Sequence, residues 1–156
     1  MAFDLSGSHI FQANQQEVWD AMNDPDVLEV CLPSVDYIDQ HATDHMEVFF
    51  VKRFGFIPIK AAVTIKIFKG NANEACPSVW RIEASGSHSL IGKAKAGADI
   101  KTRMLPDGTC QLDYAAFASF GEALLKLLGS AYEERINGWI HAYFDKFQVE
   151  IEARRG

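Results

Sequence analysis

From about Ser34 to about Phe120 apolar and polar residues alternate with a period of two. After Gly121 the apolar spacing lengthens to three and four. The first pattern predicts half-buried strands, the second a helix with one buried stripe. Before them, Phe3 to Phe11 alternates Phe3, Leu5, Gly7, His9 and Phe11 against Asp4, Ser6, Ser8 and Ile10, which predicts a first strand. Asn14 followed by Glu17 has the form of a capping box opening a short helix with Val18, Trp19 and Met22 on its apolar side. Asp24-Pro25 opens a second short helix, which Leu32-Pro33 ends. Strands follow around Val35–Ile38, Met46–Lys52, Ile59–Phe68, Trp80–Gly86, Ala94–Lys101 and Leu112–Phe120, with a turn at Pro106-Asp107-Gly108. The closing helix is predicted from about Gly121 to about Ile151, with Leu125, Leu128, Tyr132, Ile136, Trp139, Tyr143 and Phe147 on its buried stripe.

The order is one strand, two short helices, about six strands and a long helix. It predicts an α+β domain in which a curved antiparallel sheet of about seven strands wraps the C-terminal helix. At 156 residues, 48% of them apolar, one domain over 1–156 with a substantial core is expected. A net charge of −6 argues against nucleic acid as a partner. No apolar run is long enough to span a bilayer, and Met-Ala-Phe-Asp-Leu-Ser is not a secretory signal. Cys31, Cys76 and Cys110, widely spaced and odd in number, read as reduced thiols of a cytoplasmic protein.

Few residues carry a catalytic pattern. His41 and His45 are four apart in a turn, without a third ligand at suitable spacing, so no metal site is expected. There is no Gly-rich phosphate loop and no G-x-S-x-G, and no cofactor is implied. Cys31 reads as a small buried hydrophobe rather than a nucleophile.

Three stretches carry a resemblance: Glu17-Val18-Trp19-Asp20-Ala21-Met22-Asn23-Asp24-Pro25-Asp26-Val27-Leu28 with Cys31-Leu32-Pro33; Gly92-Lys93-Ala94-Lys95-Ala96-Gly97-Ala98; and Leu128-Gly129-Ser130-Ala131 leading to Phe144-Asp145-Lys146-Phe147. In these the chain resembles the carbon monoxide dehydrogenase G-subunit family of the Bet v 1 and START-like (SRPBCC) superfamily. The resemblance implies the helix-grip fold. It also implies an accessory role beside a molybdenum hydroxylase, linking it to the membrane or its quinone pool, rather than a catalytic one. Many members carry an apolar anchor after the long helix. This chain stops at Arg154-Arg155-Gly156, so stable anchoring is not expected.

The inward positions of the later strands are small: Ala84, Gly86, Ala94, Ala96, Ala98, Ala116 and Ala118. Interiors are close-packed, so an alanine wall facing a helix leaves space unless large residues fill it. With Ala61, Val63, Ile65, Trp80 and Ile82 from the strands and Leu124, Leu125, Leu128 and Tyr132 from the helix, that wall is the expected pocket for an apolar small molecule, a quinone or other isoprenoid. Tyr114 and Tyr132 are candidate hydrogen-bond partners for it. Phe54, Phe56 and Ile57 form an apolar hairpin tip flanked by Lys52, Arg53 and Lys60; Leu90 and Ile91 form a second lip. Such a tip either contacts a membrane surface or partner, or folds back as a lid. Two other functions stay open: a ligand-free protein–protein adaptor, which needs a sealed interior, and a cyclase- or aromatase-like enzyme, which needs paired polar groups deep in the cavity.

Overall fold

A computed structural model describes residues 2–32, 34–54, 56–69, 78–88 and 92–155. The elements run β1 (Ala2–Phe11), α1 (Gln15–Met22), α2 (Pro25–Cys31), β2 (Val35–Ala42), β3 (His45–Phe54), β4 (Ile57–Lys69), β5 (Val79–His88), β6 (Gly92–Met104), β7 (Cys110–Phe120), α3 (Glu122–Leu128) and α4 (Tyr132–Arg155). The strands form one antiparallel seven-stranded sheet in the order β1-β7-β6-β5-β4-β3-β2. The short helices start as their sequences dictate. Asn14 Oδ1 accepts from the Glu17 N–H at 2.8 Å while Glu17 Oε1 accepts from the Asn14 N–H at 3.1 Å, a complete capping box. Asp24 caps α2, accepting from the Asp26 N–H at 2.9 Å, and Pro25 occupies its first turn.

One sheet face turns toward the helices. Met46, Val48, Ile67, Trp80, Ile100, Leu112 and Tyr114 are buried on it, and the register sets Ile100 opposite both Trp80 and Tyr114. Against this face pack Val18, Trp19 and Met22 of α1, Val27, Leu28 and Cys31 of α2, and Phe144, Phe147 and Ile151 of α4. Each fully buried side chain of this size contributes roughly 1.5–3 kcal/mol. Trp19 and Trp80 meet edge to face at 4.9 Å, and Phe11 meets Phe144 and Phe147 at 5.6 and 5.4 Å.

Two features of the closing helix differ from the sequence expectation. It is interrupted: α3 ends at Gly129, which takes φ 86°, and α4 starts at Tyr132. That backbone conformation is open to glycine and ends a helix. The deeply buried stripe of α4 is also its C-terminal part, Phe144–Phe147–Ile151, whereas Trp139, expected on the buried stripe, is half exposed. With the break, the two segments need not share one stripe.

Candidate functional site

The inner sheet face has two zones. Along β6 the inward residues pass from Ala94, Ala96 and Ala98, each open to solvent to some degree, to Ile100 and Thr102, which are buried. Along β5 they pass from Gly86 and Ala84 through Ile82 to buried Trp80, and along β4 from Ala61, Val63 and Ile65 to buried Ile67. On β7 Ala118 and Ala116 are partly exposed while Tyr114 and Leu112 are buried. The antiparallel register places the open ends of all four strands together: Ala84 pairs with Ala96, Gly86 with Ala94, Val63 with Gly86, and Ala96 with Ala118. The buried zone is sealed by α1, α2 and the second half of α4. The small-residue zone is not sealed to that degree.

The expected wall is therefore brought together on one face. A hollow of about 180 Å³ is lined there mainly by inner-face residues of β4, β5 and β6, including Ala61, Val63, Ala84, Gly86, Ala94 and Ala96. At Gly86 a Cβ would lie 2.9 Å from the Ala62 carbonyl oxygen, so glycine lets β5 approach β4 closely here. His88 and Gly92 also line the hollow, at its outer end. Neither is part of the wall expected from the sequence, although His88 continues the alternation two residues beyond Gly86.

Other expected residues lie elsewhere. Trp80 is in the core, 2% exposed, and its indole N–H has no hydrogen-bond partner among the described residues. Tyr114 is also a core residue. Its ring lies over Gly7 and 5.6 Å from Phe144, and burial raises its pKa. Ile65, Ile82, Ala98 and Ala116 pack against the core margin. Leu124 and Leu125 of α3 are half-buried. Tyr132 meets Phe120 edge to face at 6.0 Å, and its hydroxyl donates to Glu133 Oε1 at 3.3 Å. The side chains of Phe54, Ile57 and Leu128, and the residues Leu90 and Ile91, lie outside the described ones. Phe56 is 98% exposed, so its ring does not fold back over the hollow.

Polar groups near the helix include His9, Tyr143 and Cys31. His9 sits 4.5 Å from Phe11 and 5.1 Å from Phe144. Burial lowers its pKa, Asp145 opposes this, and His141 adds to it. Burial, helped by the nearby Cys31 thiol, raises the pKa of Tyr143. The Cys31 thiol is pushed up to about 11, by burial first and then by Glu150, with Lys146 opposing. His41 Nε2 lies 2.9 Å from Glu47 Oε1, and no three His, Cys, Asp or Glu among the described residues are grouped to hold a metal ion.

The outer sheet face has a groove of about 360 Å³ over β4–β7. Its wall is a locked cluster. The Phe117 ring covers Gly97, the Arg81 guanidinium stands 4.5 Å from that ring, and it donates to Glu83 at 2.9 Å and to both Asp99 oxygens at 3.1 Å. The Arg81 donors are thus engaged within the sheet rather than offered to a ligand.

A seven-stranded antiparallel sheet gripping a C-terminal helix, with a part-open hollow of small residues on β4, β5 and β6, is the START/Bet v 1-like fold. Solved structures agree. A conserved protein from Geobacillus kaustophilus is 19% identical, with TM-score 0.78 over 97% of this chain and 96% of its own. A START superfamily protein from Mycobacterium smegmatis is 8% identical, with TM-score 0.66 over 96% and 97%. A Streptomyces protein described as the ZhuI aromatase/cyclase is 11% identical, with TM-score 0.63 over 100% and 97%. Within this fold the chain belongs to the carbon monoxide dehydrogenase G-subunit (CoxG) family, whose model matches residues 7–152. None of the curated proteins matches it in sequence.

Proposed function

We propose that this protein carries an apolar small molecule, of the quinone or isoprenoid class, between the small-residue zone of its sheet and the α3–α4 segment. It would serve a molybdenum hydroxylase of the carbon monoxide dehydrogenase type, in the cytoplasm at the inner face of the membrane. One observation supports the carrier reading above all. The inner face is densely packed at one end, yet at the other Ala94, Ala96, Ala98, Ala116 and Ala118 keep access to solvent. Apolar surface left open inside a cleft gains free energy when an apolar ligand covers it, at about 25 cal/mol per Å². A ligand-free adaptor would have no use for such a cleft. Alanine, valine and glycine make up most of the lining, and no Asp or Glu is among the described residues there to pair with His88 as a cyclase's converging acid and base would require. Membership of the carbon monoxide dehydrogenase G-subunit family supports the choice of partner enzyme, and the quinone or isoprenoid class is our reading of the ligand.

The test is extraction of the purified protein into organic solvent, with mass spectrometry of what is released. A stoichiometric apolar molecule, displaced by added quinone, supports the reading. An empty protein that also fails to take up quinones and isoprenoid alcohols removes it.

A further inference from the structure

We infer that His88 selects and orients the ligand: the hollow receives one ring-sized head bearing a carbonyl, and the His88 imidazole donates a hydrogen bond to that oxygen. This rests on the carrier reading. It adds which part of the ligand enters the hollow and which residue addresses it.

The volume sets the size of what enters. The hollow has about 180 Å³. A dry apolar cavity of about 150 Å³ suffices to bind benzene. One substituted ring therefore fills the hollow, and a longer chain attached to that ring lies outside it.

The register sets where the polar contact falls. β5 pairs with β6 without a shift from Val79 to His88, so His88 shares the inner face with Trp80, Ile82, Ala84 and Gly86 and stands opposite Gly92. The other lining residues on that face are alanine, valine and glycine. Ser85, Ser87 and Lys95 also border the hollow, but they occupy the alternate positions, whose side chains belong to the outer face. Half-buried His88 is thus the one polar side chain that the inner face offers a ligand among the described residues. Apolar walls hold a ring by its area and leave its orientation open, whereas a single placed polar group fixes it.

The surroundings of His88 suit a head group. A Cβ added at Gly92 would meet nothing within 4 Å, so the strand opposite the imidazole leaves space. An imidazole has two ring nitrogens, and a hydrogen bond at one leaves the other to address a ligand. The polar side chains of the described lining are an imidazole, two hydroxyls and an ammonium, all able to donate, with no carboxylate among them. The complementary head is an acceptor, which a carbonyl is and a cation is not.

The test compares duroquinone with durene, two rings carrying the same four methyl groups and differing in the two carbonyl oxygens. Dissociation constants are measured on the full chain by competition with a fluorescent apolar probe. The parent should bind duroquinone about three- to tenfold more tightly than durene. His88→Phe keeps a ring at the position and should bind the two alike, whereas His88→Gln, which retains a donor, should restore part of the preference. The infrared carbonyl band of bound duroquinone should lie lower in the parent than in His88→Phe. Circular dichroism and melting check that each variant is folded. A parent that binds both rings equally, or a His88→Phe protein that keeps the full preference, overturns this inference and leaves the carrier reading standing. A folded parent that binds neither ring, nor the probe, overturns both.

Discussion

The Tyr114 ring of β7 lies directly on Gly7 of the neighbouring strand β1. A Cβ at position 7 would come 2.6 Å from the Tyr114 hydroxyl and 2.9 Å from Cζ. Glycine at this point in an otherwise alternating strand is thus a seat for an aromatic ring rather than a break in the pattern. The ring in turn supports Phe144 of α4 at 5.6 Å, so one missing methyl helps set how closely the helix sits at the packed end.

Gly7→Ala should displace that ring and destabilise the fold by roughly 1–3 kcal/mol. Urea denaturation gives the value. In a Tyr114→Ala background the same exchange should cost far less, because the added methyl then meets a vacancy. Equal costs in both backgrounds would show that the two positions are not coupled.

His9 gives the fold a pH dependence. Its folded pKa is lowered by burial, with Asp145 opposing and His141 reinforcing. Below the ordinary value near 6.5 the unfolded chain binds a proton that the folded chain refuses. The stability that His9 contributes is complete above that value. It is lost as pH falls through the window down to the folded pKa. Urea midpoints measured from about pH 7.5 to about pH 5 should fall less steeply in His9→Gln than in the parent.

Much of this was legible in the sequence, for identifiable reasons. The strands were readable because one face is wet: Asp113 beside Leu112, or Glu83 beside Ile82, gives a clean period of two. The wall was readable because Ala94, Ala96 and Ala98 repeat on one face. The apolar spacing does not mark the break at Gly129, since its flanks Leu128 and Tyr132 continue a helical spacing. Nor did the sequence show how the wall divides. Ala96 and Ala98 look alike in a pattern, but Ala98 abuts the core and Ala96 does not. Burial of that kind depends on where a helix from the far end of the chain comes to rest. Trp80 and Tyr114 were expected at the wall for a related reason: alternation gives the face of a residue, not its depth along the cleft.

Cys31 and Cys110 should be inert in the folded protein. Both are buried, and the Cys31 thiol is pushed up to about 11. At neutral pH its thiolate fraction is then on the order of one in ten thousand, against a few per cent for a free thiol. In a Cys76→Ser variant, aromatic disulfide reagent should titrate neither thiol until urea is added. Fast labelling of Cys31 in a folded sample would show that α2 opens locally.

Ala96 and Ala98 permit a sharper test of the site, because they lie two residues apart on the same face of β6. Ala98 packs against the core and pairs with Ile82 and Ala116. Ala96 pairs with Ala84 and Ala118, is exposed, and lines the hollow. A phenyl ring at 98 must force apart packed neighbours, at roughly 1–3 kcal/mol. A phenyl ring at 96 enters open space and should change stability by no more than about 0.5 kcal/mol. The same ring would occupy the volume proposed for the ligand. Ala98→Phe is therefore expected to lower the melting temperature clearly. Ala96→Phe should melt with the parent yet lose uptake of a fluorescent apolar probe or a short-chain quinone. Were Ala96→Phe to unfold as readily as Ala98→Phe, the helical layer would have to lie close over both positions. Were it to melt with the parent and still bind the probe, the ligand would sit elsewhere on the protein.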